Sequence, residues 1–352
     1  MYTIMHNGGV FFDPRLDSYS LKSPMLIREA NKIGTLTFTM FPPHPAYGEL
    51  KTLKSILNVY RDGELIFQGR PAYSNRAFRN GVDYKCEEIT ACMNDYMFRP
   101  VDCSGPVSDL FLQVISSFNN RTQTVSFEPG YIQNPGNIEW TTNKGYKGHW
   151  DVLQTLVSDY GGYIIPRYEY GKIYLDWLTE DDLPQAEQAI RFGENLKDLF
   201  IETDTNETFS ALIPIGGVPE GETAKIDITS VNGGSDVIYN PDAVDLYGYR
   251  ETTKEWSSIT DPAALLEAGY EWIRSSAVKF RQSVQISAVD LHNLNQGIEA
   301  FSYMHWVTAE SYRHELSAKY ILSREEVPLD KPTGTVYTLG ATIRTFSEGV
   351  KK

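Results

Sequence analysis

The chain has 352 residues, 41% hydrophobic and 22% charged, which marks a folded globular protein too long for one ordinary core and calls for roughly two to four domains. Its formal net charge of -14, from 46 acidic against 32 basic residues, argues against wrapping nucleic acid, which needs clustered Lys and Arg, though an acidic wall suits DNA that must slide past. No apolar run reaches the ~18 residues of a membrane span, residues 1–17 lack the basic flank and apolar stretch of a signal peptide, and Cys86, Cys92 and Cys103 match no metal or redox spacing and read as reduced thiols of a cytosol-made protein.

Residues 1–100 read as strands joined by short turns. In "TLTFTM" the residues Leu36, Phe38 and Met40 alternate with Thr35, Thr37 and Thr39, so one face is apolar. Pro42, Pro43 and Pro45 then end the strand in a stiff corner that aims His44. Asp62-Gly63 and Asn80-Gly81 lie between alternating runs and signal hairpins. Strands at this spacing suggest a small barrel or sandwich.

Residues 101–195 mix types. Val107, Leu110, Phe111, Val114, Ile115 and Phe118 fall at helical spacing after Pro106, which suits a first-turn position. Val152, Leu153, Leu156 and Val157 repeat the pattern up to Gly161-Gly162, a helix-stop signal. "YIIPRYEYGKIYLDW" reads as a hairpin turning at Tyr170-Gly171. From residue 196 strand character returns in "TFSALIPIGG", and Asn232-Gly233-Gly234 marks a turn. A helix starts at Asp261 as cap and Pro262 as first residue, with Leu265, Leu266, Gly269, Ile273 and Val278 as its stripe. Strands resume from residue 281. The boundaries expected are 1–100, a β-barrel-like domain; 101–195, an α+β domain; 196–230 plus 281–352, a second β-barrel-like domain; and 231–280, a helix-containing insertion.

Chemistry is sparse. His314-Glu315 opens "HELSA", but a zinc-protease helix needs a second His four residues on, where Ala318 stands. His292 follows Asp290, a pairing that can orient a catalytic base, yet without a nucleophile signature it reads as a hydrogen-bonded structural pair. His44 has no second His within 35 residues on either side, so it reads as a packing residue rather than a ligand. Cys86 sits in an expected strand, not at the helix N-terminus where a thiolate nucleophile is stabilised. Nucleophile elbow, phosphate loop and dinucleotide fingerprint are all missing. The sequence therefore assigns no catalytic, cofactor-binding or metal-binding residue and no cofactor.

One order of elements is specific. "SPMLIREANKIGTLTFTMFPPHPAYGELKTLKSILNVYRDGELIFQGR" gives an apolar strand, an Asn-x-x-Gly turn, a Thr-rich strand, a PxHPxY corner and a Lys-rich segment into "SIxxVYRDGExIFxGR". Further on come "DYGGYIIPRYEYGKIYLDWL", "AIRFGENLKDL", "ALIPIGG", "ITSVNGG" and "SAVDLH". Over residues 23–345 the chain resembles the prophage tail endopeptidase, or tail-associated lysin, family of phage tail hub proteins.

That resemblance implies a β-rich α+β multidomain fold with two β-barrel-like hub domains and attached α+β domains. It implies a homotrimer ring at the virion tail tip or baseplate, made in the bacterial host cytoplasm and without membrane insertion. Its expected partners are a distal tail protein or tail tube, the tape-measure protein, a spike, fibre or lytic tip protein, and DNA passing unbound through a channel. Longer members carry a C-terminal lytic or host-binding extension. Here the sequence stops at Lys352, so the endopeptidase activity in the family name is not expected. Two other classes stand beside the structural reading: a tail-associated peptidoglycan hydrolase, suggested by His314-Glu315, and a receptor or carbohydrate-binding module. The second is suggested by 22 Tyr and by Trp140, Trp150, Trp177, Trp256, Trp272 and Trp306, which show no platform in sequence.

Overall fold

The computed structural model describes residues 1–78, 80–132, 137–141, 146–204, 209–219, 221–275, 281–314 and 316–340. The chain forms two compact units, residues 1–199 with 285–339, and residues 200–284 with 340–352.

The first seven strands are β1 (Tyr2–His6), β2 (Gly9–Phe12), β3 (Lys22–Glu29), β4 (Thr35–Met40), β5 (Leu57–Arg61), β6 (Glu64–Arg76) and β7 (Val82–Glu88). All join one large sheet in the order β3-β4-β7-β6-β5-β1-β2, each pair antiparallel. The alternation in β4 is borne out: Leu36, Phe38 and Met40 are buried and the threonines half-buried. Turn chemistry sets the register. Asp62 at φ 49 and Gly63 at φ 90 form the tight turn that pairs Arg61 with Glu64. Asn7 and Gly8, at φ 50 and 77, do the same between β1 and β2. The Asn80-Gly81 signal also marks a hairpin, but the connection is longer than two residues, and of its described residues only Asn80 takes a positive φ.

The sheet continues past β3 into strands from the far end of the sequence. The strand Leu316–Pro328 is shared. Its first part, Leu316 to Ile321, pairs with the strand Trp306–Ser311, and its second, Arg324 to Pro328, pairs with β3. Beyond it lie Val336–Gly340, Arg281–Ala288 and Leu196–Asp204. The architecture is thus β-rich, with a large antiparallel sheet and few helices. Among the described residues the main strand order ends at β2 and at Leu196–Asp204, and a branch through Trp306–Ser311 ends at the short parallel strand Ile190–Arg191. The core of this region gathers Ile4, Phe11, Phe12, Leu36, Phe38, Met40, Val59 and Phe67 with Val327 near the end of the strand Leu316–Pro328 and Leu329 just past it.

A second core in the same unit belongs to helices α1 (Val107–Asn119) and α2 (His149–Tyr160) and the strands Glu128–Ile132, Tyr163–Glu169 and Lys172–Leu178. All six residues of the α1 stripe are buried. Pro106 closes the preceding strand, one residue before the first helical position. Phe111 stacks on Trp177 at 5.6 Å between centroids. Helix α2 ends where Gly161 and Gly162 take φ 77 and 84.

The other unit holds a three-stranded sheet ordered Ile238–Tyr239, Ala211–Gly216 and Glu251–Trp256, with helices α3 (Pro241–Tyr247) and α4 (Pro262–Ser275). Its core joins Leu212, Ile228, Ile238, Leu265 and Ile273. Asp261 caps α4 through the Ala264 N–H at 2.8 Å, with Pro262 as first residue. A Cβ on Gly269 would lie 2.9 Å from Ile238 and 3.0 Å from Pro214, so glycine lets the helix close on its sheet. Val278, the last expected stripe residue, lies outside the described residues.

Candidate functional site

The corner after β4 is held from both sides by side chains. His44 is buried; its Nε2 lies 2.7 Å from the Phe11 carbonyl, and its Nδ1 accepts the Ala46 N–H at 3.1 Å. The two bonds together require the Nε2–H tautomer. The ring packs on Phe11 and Tyr19, and burial pushes its pKa down, against the bond to Phe11. Tyr47, three residues on, donates its hydroxyl to the Asn80 carbonyl at 2.6 Å. The corner thereby ties β2 to the tip of the β6–β7 hairpin.

The Asn-x-x-Gly turn is a second tie. Asn31 Nδ2 donates to the Gly162 carbonyl and its Oδ1 accepts the Ile164 N–H, both at 3.0 Å. Two separate landmarks of the sequence, "NKIG" and "GGYI", are therefore bonded to each other. Gly34 ends the turn against the buried Glu88, whose Oε2 accepts the Gly34 N–H at 3.1 Å and whose Oε1 accepts the Tyr168 hydroxyl at 3.3 Å. Burial raises the Glu88 pKa, opposed by the Gly34 N–H and by the Arg28 charge. Arg28 itself pairs with Glu325 at 2.7 Å and lies 5.0 Å above the Tyr303 ring.

The third tie contains Asp290. Its carboxylate accepts from Arg61 at 2.5 Å, from Gln188 at 2.6 Å and from the backbone N–H groups of Phe301 and His292 at 3.1 Å. Arg61 also donates to the Phe301 carbonyl at 2.6 Å. The His292 ring is not on Asp290: its Nδ1 faces the Ile298 carbonyl at 2.6 Å and its Nε2 faces Asp62 at 3.2 Å. Asp62 also receives the N-terminal amine at 2.5 Å. Burial would raise the Asp62 pKa, but the amine and His292 together hold it below the usual range.

The remaining sequence candidates scatter. His314 ends a one-turn 3-10 helix, Tyr312–His314, before the strand Leu316–Pro328, not an α-helix, and its Nδ1 faces the hydroxyl of buried Ser311 at 2.6 Å. Glu315 and the side chains of Cys103 and Trp140 lie outside the described residues. Cys86 and Cys92 are buried free thiols, each pushed up to about 12 by burial, which keeps them protonated and unreactive at neutral pH. Among the described residues no group of three or more His, Cys, Asp or Glu could hold a metal ion. No described helix is long and apolar enough to cross a membrane. Trp150 and Trp177 are buried, and Trp256, Trp272 and Trp306 half-buried.

Sequence reasoning missed His149. It is fully buried at the start of α2, with Nδ1 facing the Tyr96 carbonyl at 2.7 Å and Nε2 facing Ser117 at 3.1 Å. Helix α3 was also missed, although Asn240-Pro241 is a cap-and-first-residue signal and Asn240 caps Asp242 and Ala243. In chemical terms the polar residues of this region hold distant strands together. Among the described residues they surround no exposed nucleophile with a base beside it.

Residues 184–350 match the family described as prophage endopeptidase tail, which covers the stretches from "AIRFGENLKDL" through "SAVDLH". No curated protein matches the chain. The fold is that of solved prophage tail proteins. Against tail protein gp18 of a Listeria monocytogenes EGD-e prophage the TM-score is 0.62 at 13% identity, covering 98% of this chain and 96% of that one. Against a tail protein from Neisseria meningitidis MC58 it is 0.63 at 14% identity, covering 98% and 97%. Against the 43 kDa tail protein of Shewanella oneidensis prophage MuSo2 it is 0.61 at 12% identity, covering 96% and 97%. The resemblance read from the sequence is borne out in these terms: residues 184–350 match the prophage tail family, and the fold is that of prophage tail proteins.

Proposed function

We propose that this phage tail protein is the structural hub of the tail tip or baseplate. In this reading three copies close a ring that joins the tail tube or distal tail ring above to a spike, fibre or lytic tip protein below, beside the tape-measure protein, and leaves a channel for DNA. Residues 1–100, and 196–230 with 281–352, would contribute two barrel-like hub domains, while 101–195 and 231–280 add the α+β domain and the helix-containing insertion.

The observation that carries the reading is the sharing of one sheet by the two ends of the sequence, in a fold that matches prophage tail proteins over almost the whole chain. A scaffold must transmit load between distant segments, and the ties at Asn31, Arg28–Glu325 and Arg61–Asp290 do so within the first unit. The fold neighbours are tail proteins, which fits a structural role; the endopeptidase in the family description is not transferred, because the described residues assemble no catalytic constellation. The acidic balance suits a channel wall that DNA does not stick to.

Native mass by light scattering across a concentration series, followed by microscopy, tests the ring. A species three times the 39.9 kDa chain mass with a central hole is the expected result. A stable dimer would overturn it, since neither geometry nor symmetry of a threefold ring admits one.

A further inference from the structure

Strand β6 runs on past the core of its sheet: Tyr73, Ser74, Asn75 and Arg76 are exposed and pair only with residues 82–85 of β7. At the tip Phe78 is 103% exposed and, on the flank, Tyr73 is 58% exposed. A free loop would not be built as this one is. The Ala77 N–H donates to the Gly81 carbonyl at 2.8 Å and the Asn80 N–H to the Ala77 carbonyl at 2.9 Å. Tyr47 holds the Asn80 carbonyl from the proline corner, and the Arg76 guanidinium lies 5.8 Å from the Tyr47 ring. A Cβ on Gly81 would lie 2.9 Å from the Phe41 ring, so the hairpin seats against that side chain. The corner keeps an apolar side chain presented to water, at a cost that solvent exposure alone does not offset.

Charge narrows what covers it. From Leu65 to Val82 the sequence carries Arg70, Arg76 and Arg79 and no carboxylate, in a chain of net charge -14. Arg70 is already engaged by Glu87 and Asp95. Asp83, the next carboxylate along the strand, sits at the base and accepts the Thr39 hydroxyl at 2.6 Å. Two copies of so acidic a chain repel at long range, and a contact between them forms where a locally basic element meets the acidic remainder. Aromatic and Arg side chains are also the residues that dominate binding energy at interface centres.

We propose that the β6–β7 hairpin tip, with Phe78 as anchor and Arg76 beside it, docks into an apolar, carboxylate-rimmed depression on a second copy of this chain. Such a tip-to-depression contact is heterologous and closes into a ring under the right rotation. The proposal rests on the ring reading and names the element that would close it.

The test uses the full chain as wild type, Phe78→Asp and Arg76→Glu, with light scattering at low and high salt. Phe78 touches nothing that folding needs, so melting curves of the variants should overlay the wild type. The expected result is a wild-type trimer, a Phe78→Asp chain whose association is weakened at least about tenfold, and an Arg76→Glu chain weakened chiefly at low salt. A wild-type trimer with an equally associated Phe78→Asp trimer overturns this proposal and leaves the ring intact, the tip then facing a different tail protein. A wild-type chain that stays monomeric at every concentration overturns the second copy as occupant.

Discussion

Asn31 makes two hydrogen bonds to backbone groups more than 130 positions away in sequence, at Gly162 and Ile164. Replacing it with Ala strands a donor and an acceptor in a part-buried place, and the chain should lose about 1–3 kcal/mol of stability. Urea unfolding checks this; an unchanged midpoint would mean that water replaces both bonds. Asp290→Ala should cost more, about 3–5 kcal/mol, because it leaves the Arg61 charge largely buried without its carboxylate. His44, His149 and His305 add a pH dependence. Burial lowers all three pKa values below the unfolded value near 6.5. Folding therefore favours their neutral rings, and this contribution is complete above about pH 6.5 and lost as pH falls through the folded values. Glu88, raised by burial, acts with the opposite sign, so the comparison of variants carries the test. In His149→Gln the fall in stability between about pH 7.5 and 5.5 should be shallower than in the wild type; an equal slope would contradict the assignment. None of these partnerships was readable in the sequence. The proline-flanked His44 could be recognised as held by its backbone, but its acceptor lies in β2.

At the scale of elements, local rules served best where local energy decides. The β4 alternation, the Asp62-Gly63 and Tyr170-Gly171 turns, the α1 stripe and the Asp261 cap all follow from side-chain period, positive φ and capping, which few neighbours determine. Pairing did not follow. Which strand lies next to β3 depends on Val327 and Leu329 joining the core of the early strands, a contact between ends of the sequence that no window contains. Gly162 shows where both levels meet. Its φ of 84 disfavours any side chain, and a Cβ there would lie 2.7 Å from the Leu178 carbonyl and 2.8 Å from Trp177 Nε1. Gly162→Ala should destabilise the chain by more than the roughly 1 kcal/mol expected of a merely exposed left-handed glycine, because the Asn31 and Trp177 contacts shift with it. Gly193→Ala, with φ 86 and nothing within 4 Å, is the control. Equal losses in the two variants, measured by thermal unfolding, would show that backbone strain is the whole effect.

For the whole molecule, the resemblance to prophage tail proteins was legible because the order of turns, corners and strands is arbitrary in physical terms and so carries a likeness that composition cannot. The functional reading came from the same source, since the polar residues serve as ties between segments and none of the six histidines announced a reaction. What lay beyond the sequence was geometry: the single sheet spanning both ends, and the exposed Phe78 on a braced hairpin. If the molecule is a tip scaffold, adding it to a peptidoglycan suspension at high concentration should leave turbidity unchanged, and clearing would revive the hydrolase reading. The most direct measurement is where the chain sits in a particle. Gold-labelled antibody against it, applied to purified tails and viewed by electron microscopy, should mark one end of each tail, distal to the head. Label along the length of the tail, or on none of the particles, would contradict the account.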